Sequence, residues 1–134
     1  MAEFPEPMEE SVFYEDEKLY ACLGFHKNHV EGKTIIAWKK DIEDLNDLSQ
    51  EDYQHLMEIV WAVRKALMKA YDTKKVYLAY LDETRHVYWH LFPRKQGGIE
   101  GFDLMTLPQE DTPKEDLEMV SSLRSLTIEN LGTK

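Results

Sequence analysis

The side chains best suited to chemistry lie in Arg85-His86-Val87-Tyr88-Trp89-His90-Leu91-Phe92-Pro93-Arg94. Two histidines stand four residues apart with a tyrosine midway. Val, Tyr, Trp and Phe favour an extended run, and Pro93, which has no N–H to donate to a ladder, ends it. On a strand, residues 86, 88 and 90 share one face and Val87, Trp89 and Leu91 the other. His86 and His90 are then ~13 Å apart at ~3.3 Å per residue, too far to share one ion held at ~2 Å by each. On a helix the same pair would sit one turn apart and suit zinc. The strand composition argues against that, so no metal and no cofactor are expected. A second reading makes both histidines hydrogen-bonded rim residues and Tyr88 packing, though two histidines on one face around a phenol, with an arginine after them, fit it less comfortably.

These residues need elements to hold them. Ser11 to Tyr14 and Lys18 to Leu23 are short β-like runs around the acidic turn Glu15-Asp16-Glu17, a hairpin. Lys33 to Trp38 is a third strand, and Ile42 to Leu48 a turn of helix. Ser49, with Asp52 three residues on, approximates a capping box. Tyr53, Leu56, Met57, Val60, Val63, Leu67 and Ala70 continue at helical spacing, one apolar face against a core. Lys75 to Leu81 and Arg85 to Phe92 form a second hairpin through Asp82-Glu83-Thr84. Gly97-Gly98 is a turn. Residues 114–130 read as a last helix with Leu117, Val120, Leu123 and Leu126 apolar, a spacing of three that drifts around a 3.6-residue helix. The pattern is α+β: an antiparallel sheet of about five strands, one long central helix and a C-terminal helix. Residues 1–11 read as a flexible acidic arm and 12–134 as a single domain.

The chain has 134 residues and a net charge of −10, which opposes binding to nucleic acid polymers. Residues 1–17 carry seven acids and no base, whereas Lys27, Lys33, Lys39, Lys40, Arg85, Arg94 and Lys95 flank the two central apolar segments. Such cations can receive a small anion; taken alone, they read as solvated strand ends. No apolar run approaches the ~20 residues of a membrane span, so no membrane association is expected. The first residues lack the basic and apolar regions of a signal peptide, and the lone Cys22, in an apolar run, reads as a buried core residue. A cytoplasmic location is the expectation.

The motif resembles that of the histidine triad (HIT) superfamily of nucleotide hydrolases and transferases, His-X-His-X-His-X-X with apolar X, often trailed by Pro-Arg. Here it reads His86-Val-Tyr88-Trp-His90-Leu-Phe-Pro-Arg94. Val12 to Ala21 resembles the family's opening hairpin. Gly32-Lys33-Thr34-Ile35-Ile36-Ala37-Trp38-Lys39-Lys40-Asp41 resembles its Gly-His-Thr-Leu-Val-Ile-Pro-Lys-X-His segment. Ile42 to Ser49 resembles the family's stretch between that segment and the long helix. The likeness spans residues 11–105 in order.

The resemblance implies a nucleoside phosphate as ligand, a homodimer formed through the long helix and an edge strand, and a site built from matching positions. Tyr88 falls at the nucleophilic histidine, with His86 and His90 flanking it. Lys33 falls at a supporting histidine and, with Arg94, would hold phosphate. Tyr14, Leu23 and Phe25 fall where the family lines its base pocket. The departures are Tyr88, Lys33, Asp41, Trp38 for a proline, and Gly24 for the aspartate that holds the ribose. A phenol with a pKa of about 10 is almost wholly protonated at neutral pH. The expected function is therefore nucleotide binding, with histidine-type hydrolysis weak or lost. Two alternatives stand beside it: a hydrolase of altered mechanism using Tyr88 or a histidine-activated water, and a non-catalytic protein-binding dimer.

Overall fold

A computed structural model describes residues 9–23, 31–80, 87–95, 98, 100–105 and 116–132, without the side chains of Glu9, Tyr88, Phe102 and Met105. Among the described residues, five strands build one antiparallel sheet: β1 (Val12–Glu15), β2 (Leu19–Leu23), β3 (Thr34–Trp38), β4 (Val76–Ala79) and β5 (Tyr88–Pro93). Their spatial order is β1-β2-β3-β5-β4, so β1 and β4 are the edges. The expected α+β architecture is present. The Asp82-Glu83-Thr84 turn lies outside the described residues.

The long helix α1 (Gln50–Ala70) starts where its sequence says it should. The Ser49 hydroxyl accepts from the Asp52 N–H at 3.1 Å, and Glu51 and Asp52 sit in the positively polarised first turn. Leu56, Ile59, Val60, Ala62, Val63, Ala66 and Leu67 are buried. This face is wider than the expected stripe because α1 is covered by both the sheet and a C-terminal helix, α3 (Leu117–Gly132). Tyr53, expected on the face, is exposed.

On α3 the buried positions are Val120, Leu123 and Thr127, a 3-then-4 spacing. Leu117 is 58% exposed, which corrects the every-third reading: an α-helix turns ~100° per residue, so successive steps of three leave the face. A short helix, α2 (Gly101–Met105), was not legible in the sequence. Glu9–Ser11 form a 3-10 turn against α3, with Ser11 buried, so structure begins inside the stretch read as the arm. Ile42 to Leu48, read as a helical turn, contains only a 3-10 turn, Leu45–Asp47. Cys22 is fully buried, as expected. Among the described residues no helix is long and apolar enough to cross a membrane.

Candidate functional site

Strand register separates the sheet's two faces. Ile35 pairs with His90, Ile36 with Trp89 and Ala37 with Tyr88. Ile36, Trp38 and Leu91 join the core under α1 and α3. Ile35 and Ala37 instead pack with Cys22 on the opposite, outer face. Phe92 lies on that face too, against Leu104 of α2, with Tyr77 and Ala79 of β4 beside it. His90 is on the same face, its ring stacked on Phe92 with centroids 6.1 Å apart and planes 24° apart. Residue 88 is in a strand, which supports the extended reading of the motif. His86 lies outside the described residues, and of Tyr88 only the backbone position is described.

Lys33 completes this row. Gly32 precedes it with φ +83°, a left-handed turn that glycine adopts without strain. A Cβ there would lie 2.8 Å from the Tyr71 ring and 3.0 Å from Pro93 Cγ, so the chain closes too tightly for any side chain. Thr34 Oγ1 donates to the Gly32 carbonyl at 3.1 Å, fixing the turn. The Lys33 ammonium is thereby laid over the Phe92 ring, 5.2 Å from its centroid. Lys33 is only 9% exposed, which corrects its reading as a solvated strand end. Among the described residues no carboxylate pairs with it. Desolvation pushes its pKa down from 10.5 to about 8, a fall the nearby Cys22 partly opposes.

The other expected site residues are placed differently. Arg94 Nη1 lies 3.7 Å from Glu100 Oε2, so a carboxylate already faces the guanidinium assigned to phosphate. Lys95 likewise pairs with Glu31 at 2.8 Å. Leu23 belongs to the helix-side core, and Tyr14 packs against it. The cause at Tyr14 is a register shift between Val12 and Tyr14, which turns Phe13 and Tyr14 to the same side. These two are thus not brought to the Lys33–His90 face. Trp38 is buried in the core, and Gly24 and Phe25 lie outside the described residues.

A polar cluster escaped the sequence reading. Asp16 Oδ1 accepts the N–H groups of Lys18 and Leu19, at 2.8 and 3.0 Å. Its Oδ2 accepts the Tyr14 hydroxyl at 2.9 Å and lies 2.7 Å from His55 Nε2 on α1. Burial alone would raise the Asp16 pKa, but these hydrogen bonds to the carboxylate win and lower it. Asp16 thus closes the first hairpin and pins it to α1. Asp16→Ala should cost about 1–3 kcal/mol in urea unfolding at pH 7. The folded state holds the Asp16 proton less tightly than the unfolded chain. Its contribution is therefore complete above the ordinary value of 3.8 and fades as pH falls below it. The gap between wild type and variant should close in that acid range; an equal gap at pH 7 and in acid would contradict this role.

Fold and motif together define a HIT protein, and sequence comparison agrees. Residues 6–97 match the HIT domain family, so the chain belongs to that family. No curated protein matches it. Among solved structures, a HIT-like protein involved in cell-cycle regulation from Bartonella henselae is 24% identical, with TM-score 0.70, over 89% of this chain and 87% of that one. The C. elegans NitFhit protein is 20% identical, with TM-score 0.68, over 93% of this chain but 29% of its own length. The Plasmodium falciparum diadenosine triphosphate hydrolase is 19% identical, with TM-score 0.65, over 96% and 84%. At these identities the likeness shows the fold.

Proposed function

We propose that this HIT protein binds a nucleotide or related nucleoside phosphate ester on the outer sheet face, with the family's histidine-nucleophile hydrolysis weak or lost. The observation that carries this is Lys33, a buried cation over the Phe92 ring on which His90 stacks, with no carboxylate partner among the described residues. A desolvated ammonium lacking a counter-charge gains most from an anion, because the burial cost has already been met in the free protein. The Plasmodium relative is a diadenosine triphosphate hydrolase, which makes dinucleoside polyphosphates natural probes. Titration calorimetry with AMP, GMP and diadenosine polyphosphates tests the reading: saturable binding supports it, and none at millimolar ligand removes it.

A homodimer is the second part of the proposal. β4 is an edge strand with Leu78 exposed, and Arg64 of α1 donates to the Val76 carbonyl, at 2.9 Å, at that edge. One turn earlier, Trp61 is 43% exposed under the Lys65 ammonium. Exposed tryptophan beside an open strand suits a second copy. Sedimentation velocity should give a dimer, and Trp61→Glu with Leu78→Glu a folded monomer. A wild-type monomer at tens of micromolar would contradict it.

A further inference from the structure

We propose that Arg94 and Lys75 form a second phosphate subsite beside Lys33, closed in the free protein by the Glu100 carboxylate, so that the outer face favours nucleotides with more than one phosphate. This rests on the nucleotide-binding reading above and names the class of ligand. The placement of both cations follows from the ladder. Tyr77 pairs with Phe92, and both lie on the outer face. Arg94 donates its N–H to the Lys75 carbonyl at 3.0 Å, which carries the β4–β5 pairing one rung past Val76 and Pro93. Alternation therefore puts Lys75 and Arg94 side by side on the face that carries Phe92. Thr73, in the turn after α1, fixes this rung. Its hydroxyl donates to the Arg94 carbonyl and accepts the Lys75 N–H, the latter at 3.3 Å.

Like charges directly opposite on a ladder repel, so a rung of arginine and lysine calls for an anion. The fold supplies one. Leu104 of α2 packs on Phe92 and brings Glu100, the residue before that helix, to the rung. Glu100 Oε2 lies 3.7 Å from Arg94 Nη1 and marks where an anionic oxygen reaches the guanidinium. The contact is long and the Glu100 side chain is 63% exposed, so displacing it costs little. Lys75 is exposed, and among the described residues no other carboxylate pairs with it or with Arg94. The Lys33 ammonium lies over Phe92. Arg94 follows Phe92 by two residues on the same face, ~6.6 Å along the strand at ~3.3 Å per residue. A phosphate held by Lys33 thus leaves the Arg94–Lys75 rung to the next phosphate of the same ligand, which takes the place of Glu100.

The test is calorimetry of AMP and ATP, without divalent cations, on the full chain and on Glu100→Gln, Lys75→Gln and Glu31→Gln. The last removes an equal charge from the neighbouring pair with Lys95 and controls for general electrostatics. Glu100→Gln should bind ATP about two- to fivefold more tightly and Lys75→Gln about two- to fivefold more weakly, the scale of one exposed charge contact. AMP affinity should hold in both, and Glu31→Gln should match wild type. Equal changes for AMP and ATP, or the same gain from Glu31→Gln, overturn the subsite as a general charge effect. ATP affinity unchanged in Glu100→Gln or in Lys75→Gln also overturns it and leaves the binding reading intact. Failure of wild type to bind either nucleotide removes both.

Discussion

Lys33→Met is expected to raise the unfolding free energy at pH 7 by about 2–3 kcal/mol while weakening nucleotide binding. Lowering a pKa from 10.5 to about 8 means that the fold disfavours the charged form by roughly 3 kcal/mol, at about 1.4 kcal/mol for each tenfold. Methionine removes that penalty and fills similar volume with an apolar, adaptable chain. It forfeits the contact of the ammonium with the Phe92 ring, about 0.5–1 kcal/mol. The sign comes from proton binding. Between pH 8 and 10.5 the unfolded chain carries the Lys33 proton more often than the folded one, so wild-type stability rises with pH there. The advantage of Lys33→Met should therefore be full below about pH 8 and shrink towards pH 10.5. Urea unfolding at pH 7, 9 and 10.5 checks it. A variant less stable than wild type at pH 7 would mean that Lys33 is paired in the fold. Keeping a destabilising cation is what a binding site does when a ligand anion supplies the missing charge.

Gly32→Ala is expected to lose about 2–4 kcal/mol. The left-handed backbone at φ +83° costs an alanine about 1–2 kcal/mol. The new methyl carbon would then sit 2.8 Å from two carbons of the Tyr71 ring, closer than carbon atoms approach, and 3.0 Å from Pro93 Cγ. Tyr71 caps the end of α1 and is half-buried, and Pro93 ends β5, so neither yields freely. The strain falls on the turn that lays Lys33 over Phe92, and nucleotide binding should weaken as well. The urea midpoint should drop at unchanged slope. A loss below about 0.5 kcal/mol would show that Tyr71 has room to move.

Much of this was legible because local rules and tertiary packing agree. The cap at Ser49, the β-like composition of β2 and β3 and the extended motif at residues 88–93 each carried their own chemistry. Elsewhere the information was not local. Tyr14 turns inward because of a register shift in β1, which alternation alone does not show. The burial of Lys33 depends on Phe92, far along the chain, packed under Leu104 of a helix too short to show periodicity. The Asp16–His55 contact joins residues 39 apart through the packing of a hairpin on α1. The motif named the fold through its flanking residues, whereas the candidate site turns on a lysine that charge and position alone placed among strand-end cations and that only the family resemblance marked for phosphate.

Whether the outer face holds an anionic nucleotide through Lys33 is decided most directly by calorimetry. Diadenosine polyphosphate and AMP are titrated into wild type and Lys33→Met side by side. Because the variant is expected to be the more stable protein, lost binding reports the site and not unfolding. Saturable binding by wild type, weakened roughly tenfold or more in the variant, is the predicted result, the scale of one charge-assisted contact. No binding to wild type at millimolar ligand, or equal affinity in both proteins, would contradict it.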